Sequence, residues 1–131
     1  MDNAPVVLVV EDDVATQALL AAVVRRCNCV VRTAGDGETA MAMILAERPD
    51  AVILDLLLPK MNGYEVLRHM RNTVPDLLDR TIVTTAGTAL AVPEQGDWSL
   101  IRRFLPKPLD PGELADELAR CTALSIKRKS S

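Results

Sequence analysis

Val6-Val7-Leu8-Val9-Val10-Glu11-Asp12-Asp13 is the stretch that decides the fold. Five apolar residues, four of them β-branched, stop abruptly at three acids. A strand with one solvated face would alternate polar and apolar positions, so an unbroken run of this length suits a strand covered on both faces. Ala51 to Leu54, ended by Asp55, repeats the plan, and Thr81 to Ala86 is a further strand of the same kind. Cys29 to Ala34 reads as the second strand and Phe104-Leu105, extended by Ile101 to Arg103, as the fifth. Helical spacing fills the gaps. Val14 to Arg26 places Leu19, Leu20, Val23 and Val24 on one face and ends on two arginines, cations that complement the negative end of a helix dipole. After the turn at Asp36-Gly37, Glu38 to Arg48 carries Ala40, Met41, Ile44 and Leu45, and Pro49 stops it. Asn62-Gly63 leads into a helix around Tyr64 to Asn72. The last helix opens with Asp110 as N-cap, Pro111 at the first helical position and Glu113 in a capping-box pattern, with Leu114, Leu118 and Cys121 facing the core. Strands alternating with helices in this way make βαβ units, hence a three-layer α/β domain with a parallel sheet.

A chain of 131 residues is one domain's worth, and with 49% hydrophobic and 25% charged residues it has the composition of an ordered globular protein. One Phe, one Trp and one Tyr leave an aliphatic core and no platform for stacking bases. A net charge of −3 gives no general attraction to phosphate backbones or anionic lipid, so neither nucleic acid nor a membrane is an expected partner. No apolar run reaches the roughly 18 residues of a membrane span, and Met1-Asp2-Asn3 lacks the basic start of a signal peptide, so a cytoplasmic location is expected. Cys27, Cys29 and Cys121 fit reduced packing residues. With His69 they lack the second cysteine pair of a zinc site. Ser125 to Ser131 is polar and basic and reads as a disordered tail after a domain spanning residues 1–124.

In an open parallel sheet, ligands bind at the carboxyl ends of the strands. Here those ends deliver Glu11-Asp12-Asp13, Asp55, Thr84-Thr85 and Lys107 to one edge. Carboxylates gathered there repel one another unless a cation relieves them. An all-oxygen donor set with room for water suits magnesium better than zinc, and magnesium commonly accompanies phosphate chemistry. An aspartate beside such an ion can attack phosphorus to form an acyl phosphate, while Lys107 and the Thr85 hydroxyl stabilise the charge that develops on the phosphoryl oxygens. No Gly-rich nucleotide loop is present, so phosphate would come from another molecule.

These motifs, V-V-E-D-D at 9–13, L-D-L-L-L-P at 54–59, M-N-G at 61–63, T-T-A at 84–86 and L-P-K-P at 105–108, occur in an order and spacing that resemble the receiver domain of two-component response regulators over about Val6 to Cys121. The resemblance implies a flavodoxin-like, doubly wound, five-stranded parallel sheet of order 2-1-3-4-5. By it, Asp55 matches the phospho-accepting aspartate and Glu11 and Asp12 match the acidic pair around Mg2+, Asp12 as the more direct ligand. Leu57 matches the position whose backbone carbonyl also binds the ion. Thr85 and Lys107 match the hydroxyl and the ammonium that engage the phosphoryl group, and Thr85 and Phe104 match the switch pair. The Lys107-Pro108 bond is expected to be cis. Thr84 is expected to point away from the site and Asp13 to be solvated at the start of the first helix. The implied partners are a histidine kinase or histidine phosphotransfer protein and an output protein or domain, and the chain is expected to catalyse only its own phosphorylation and dephosphorylation.

Two departures from regularity stand out. Leu57 and Gly87, two beyond Asp55 and Thr85, border the expected path of hydrolytic water, and a leucine cannot orient it. Gly87, Pro93 and Gly96 argue against a regular fourth helix between the last two strands. Two other classes compete. A haloacid-dehalogenase-like phosphatase would need a second aspartate at position 57, where Leu57 stands, and a degenerate receiver would only bind proteins.

Overall fold

The computed structural model describes residues 4–86 and 99–130. Each apolar run becomes a strand: β1 (Val6–Val10), β2 (Val30–Ala34), β3 (Ala51–Asp55), β4 (Thr81–Thr85) and β5 (Arg103–Pro106). They form one parallel sheet in the order 2-1-3-4-5. The helices are α1 (Val14–Arg26), α2 (Gly37–Glu47), α3 (Gly63–Thr73) and α4 (Pro111–Ser130), with a 3-10 helix over Pro75–Arg80. Strand boundaries shift by one or two residues from the sequence reading: Cys29 and Ala86 fall outside β2 and β4, and Asp55 belongs to β3. The segment that argues against a regular fourth helix, residues 87–98, lies outside the described residues.

Alternation along the strands divides the core into two clusters. Leu8, Val10, Val52, Leu54 and Val83 face α2, α3 and the 3-10 helix. Val7, Val9, Ile53, Ile82 and Leu105 face α1 and α4. Both faces of the central strands are therefore covered, as their uninterrupted apolar sequence requires. Two expected core positions turn outward: Leu19 and Leu45 are exposed, because each lies one residue round the helix from the seam that Leu20 and Ile44 occupy. The cysteines pack as expected, Cys29 and Cys121 within the α1/α4 cluster and Cys27 against it. Burial pushes the Cys121 thiol up to about 12.

Short polar residues start the helices. Asp13, Asp36 and Asn62 accept hydrogen bonds from the backbone N–H of Thr16, Thr39 and Glu65 at 2.9, 2.8 and 3.0 Å. Asp13 is thus an N-cap, and Thr16 holds its carboxyl below the usual range. Asp110 caps α4 through the N–H of Gly112, but Glu113 does not complete the capping box and pairs instead with Arg103 at 2.6 Å. At the other end of α4 the expected tail is corrected. The helix runs on through Ser130 because Ser125 is buried and its hydroxyl donates to the carboxylate of Asp50, a contact across 75 positions of sequence.

Candidate functional site

Glu11, Asp55 and Lys107 meet at the carboxyl edge of β1, β3 and β5. Glu11 is 1% exposed and Asp55 3%, so two carboxylates are nearly shut off from bulk water. The Lys107 ammonium lies 2.6 Å from Glu11 Oε1 and 3.3 Å from Asp55 Oδ2. Its backbone N–H donates to the Thr85 carbonyl at 2.8 Å, which ties the lysine to the end of β4. The Lys107-Pro108 bond is cis, as the resemblance implied.

Backbone donors hold the other oxygens. The Asp13 N–H donates to Glu11 Oε2 at 3.1 Å, and the Leu57 N–H turns back to Asp55 Oδ1 at 3.1 Å. Burial pushes the Glu11 carboxyl above its ordinary value, against the pull of Lys107 and the Asp13 N–H and with added repulsion from Asp55. For Lys107, burial favours loss of the proton, but Glu11 and Asp55 outweigh it and raise the ammonium's pKa. Asp12 is exposed at the mouth. One oxygen from each of Glu11, Asp12 and Asp55 lies within 4.8 Å of the others. Three hard carboxylate donors, one of them open to solvent, fit an oxygen-seeking divalent ion such as Mg2+ and do not fit a soft one.

Tight approaches set this geometry. A Cβ on Gly63 would meet Leu56 Cα at 2.5 Å and the Asp55 carbonyl at 2.6 Å, so only glycine lets α3 start against the end of β3. A Cβ on Gly37 would fall 1.6 Å from the Met61 carbonyl, which lets α2 abut the same loop. Lys60 and Met61, both at positive φ, carry the chain round that bend.

The remaining sequence candidates take these places. Thr85, buried, ends β4 on the Val83 face. Phe104 pairs in register with Val83 and packs against the α2/α3 cluster. Thr84 has the opposite parity, and its hydroxyl reaches the Leu54 carbonyl at 3.5 Å. The Leu57 side chain is 63% exposed, and Val14, which opens α1 two residues after Asp12, is 82% exposed. Gly87 lies outside the described residues. Sequence reasoning missed Gln17, whose Nε2 donates to the Glu11 carbonyl at 2.9 Å. The available signal was its isolation, since the seven residues that follow it are Ala, Leu and Val.

The chain matches the response regulator receiver domain over residues 7–119. It is 37% identical over 123 residues to the response regulator MprA of Mycobacterium ulcerans, covering 94% of this chain and 51% of that protein. Against MprA of Mycolicibacterium vanbaalenii the identity is 37% over 118 residues, with 90% and 49% covered. The chain thus spans about half the length of these curated relatives. Among solved structures, a response regulator receiver protein from Pseudomonas putida superposes with a TM-score of 0.76 at 25% identity, covering 92% of this chain and 99% of that one. A receiver domain protein from Clostridium thermocellum shares the fold, with a TM-score of 0.82 at 18% identity over 93% and 97% of the two chains. With its 2-1-3-4-5 sheet and the sequence match over nearly its whole length, the chain belongs to the response regulator receiver domains of two-component signalling.

Proposed function

We propose that Asp55 accepts a phosphoryl group from a phosphohistidine on a kinase or phosphotransfer protein, in a reaction that requires Mg2+. The observation that carries this reading is the convergence of Glu11, Asp12, Asp55 and Lys107 at one strand edge, where Asp55 is buried yet lies next to an open carboxylate. A lone pair on an Asp55 carboxylate oxygen forms the new P–O bond. The donor P–N bond breaks and its electron pair returns to the imidazole nitrogen, so no proton need leave Asp55.

Glu11, Asp12 and Asp55, with the backbone carbonyl of Leu57, would hold the ion. When bound, it neutralises charge on the phosphoryl oxygens. Lys107 offers a second cation to those oxygens, exchanging its present contact with Asp55 for the phosphoryl group, while Glu11 keeps it in place. The Thr85 hydroxyl, on the Val83 face with Phe104, then supplies a link from the phosphoryl group to the packing of that face, where an output partner would read the state. In its first two turns α1 exposes Val14, Ala15, Ala18 and Leu19, with its charges, Arg25 and Arg26, at the far end, so the donor would approach over an apolar strip at the start of the helix.

The test is incubation with Mg2+ and a small phosphoramidate donor, followed by intact mass and site mapping. One phosphoryl group on Asp55, absent without Mg2+ and absent in Asp55→Asn, is expected. Uptake by Asp55→Asn at a comparable rate would overturn the acceptor assignment. No uptake by the unaltered chain would favour a degenerate receiver that only binds proteins.

A further inference from the structure

The Glu11 carbonyl sits just beyond the last registered β1–β2 pair, Val10 with Ala34. Its N–H still donates to Ala34 of β2, at 3.0 Å. The Glu11 carbonyl takes a side-chain donor, Gln17 Nε2, at 2.9 Å. A carbonyl oxygen only accepts, so the amide of Gln17 must present its nitrogen here.

That carbonyl belongs to the peptide unit joining Glu11 to Asp12. Rotation of this unit swings Asp12, the one exposed carboxylate of the three, relative to Glu11 and Asp55. Glu11 itself is anchored by Lys107 and the Asp13 N–H, and Asp13 is anchored in turn by Thr16. Among the described residues no hydrogen bond or ion pair fixes the Asp12 carboxylate. Its placement therefore depends on the peptide that precedes it.

We infer that Gln17 is a positioning residue for the cation site: from the first turns of α1 it locks the Glu11-Asp12 peptide and so presets Asp12 toward Asp55. This inference rests on the magnesium reading above, and the experiment separates the two. Gln17→Met removes the donor while keeping length and neutrality, and Gln17 is partly exposed, so the fold should hold, which a melting curve checks. Titration calorimetry with Mg2+ alone, on the unphosphorylated protein, should show affinity weakened about three- to tenfold, the worth of one hydrogen bond. In phosphorylation assays the Mg2+ concentration for half-maximal rate should rise by the same factor, while the rate at saturating Mg2+ stays near that of the unaltered chain. Unchanged Mg2+ affinity in Gln17→Met, with normal binding by the unaltered chain, would overturn the inference alone. A lowered plateau rate with unchanged half-saturation would overturn it too. Failure of the unaltered chain to bind Mg2+ would remove the magnesium reading and the inference with it.

Discussion

The two ends of the sheet both bury charge and do so in opposite ways. At the N-terminal edge, Asp50 is buried between the Val6 N–H, 2.7 Å from Oδ2, and the Ser125 hydroxyl. Arg80, 7% exposed, donates to the Asp50 backbone carbonyl at 2.7 Å. At the C-terminal edge, three carboxylates crowd within 4.8 Å, and one ammonium pairs with two of them, Glu11 and Asp55. Neutral, fixed donors satisfy the first carboxylate and make it a fastening. The second group has more negative charge than its partner balances, so a further cation would relieve it. Burial alone therefore does not distinguish the two ends, whereas charge balance does.

The sharpest way to break this contrast is to remove one acid from each end. Asp55→Asn should abolish phosphoryl uptake and leave the urea midpoint unchanged or raised, since one crowded carboxylate becomes neutral. Asp50→Ala should cost about 3 kcal/mol of unfolding free energy, because it strands the Val6 N–H and the Ser125 hydroxyl. Urea titration of both variants gives the comparison directly. Equal destabilisation by the two would show that the C-terminal cluster is a fastening as well.

Lys107→Ala sharpens the same point at a smaller scale. Without its ammonium the carboxylates repel more strongly, so the variant should bind Mg2+ at least as tightly as the unaltered chain, by up to about tenfold. Its phosphorylated form should nonetheless bind the output partner less well, having lost the cation that engages the phosphoryl group. A large loss of Mg2+ affinity would mean that the lysine organises the site instead of balancing it.

The smallest effect concerns water. Leu57 presents an exposed apolar side chain at the mouth. Leu57→Asn, able to hydrogen-bond a water, should release phosphate a few-fold faster, roughly the effect of placing one polar group. Equal or slower loss of the acyl phosphate, followed by intact mass, would count against Leu57 as a shield.

The C-terminal edge was legible in the sequence because acids that stop apolar runs must gather there once the strands are parallel. Glu11, Asp55 and Lys107 meet where that logic places them, and strand order and family follow from the same motifs. The N-terminal edge was not legible. Asp50 follows a proline that ends a helix, Arg80 belongs to an unremarkable Leu-Asp-Arg, and Ser125 opens a basic run that looks like a tail. Their roles depend on partners 30 to 75 residues away, which periodicity does not report. Leu19 and Leu45 mislead for a related reason: two adjacent aliphatic residues on a helix, Leu19 with Leu20 or Ile44 with Leu45, cannot both face a narrow seam.

Because α4 continues as a helix past Ser125 to Ser130, it forms a helical spoke fastened at Asp50. Any reporter joined to that spoke through a helical connection would inherit a defined azimuth. Each residue inserted or deleted at the junction would turn the reporter by about 100° and move it by about 1.5 Å. Junction length would thus act as a phase setting, with neighbouring lengths pointing the attached module in different directions and lengths differing by about seven residues pointing it nearly the same way.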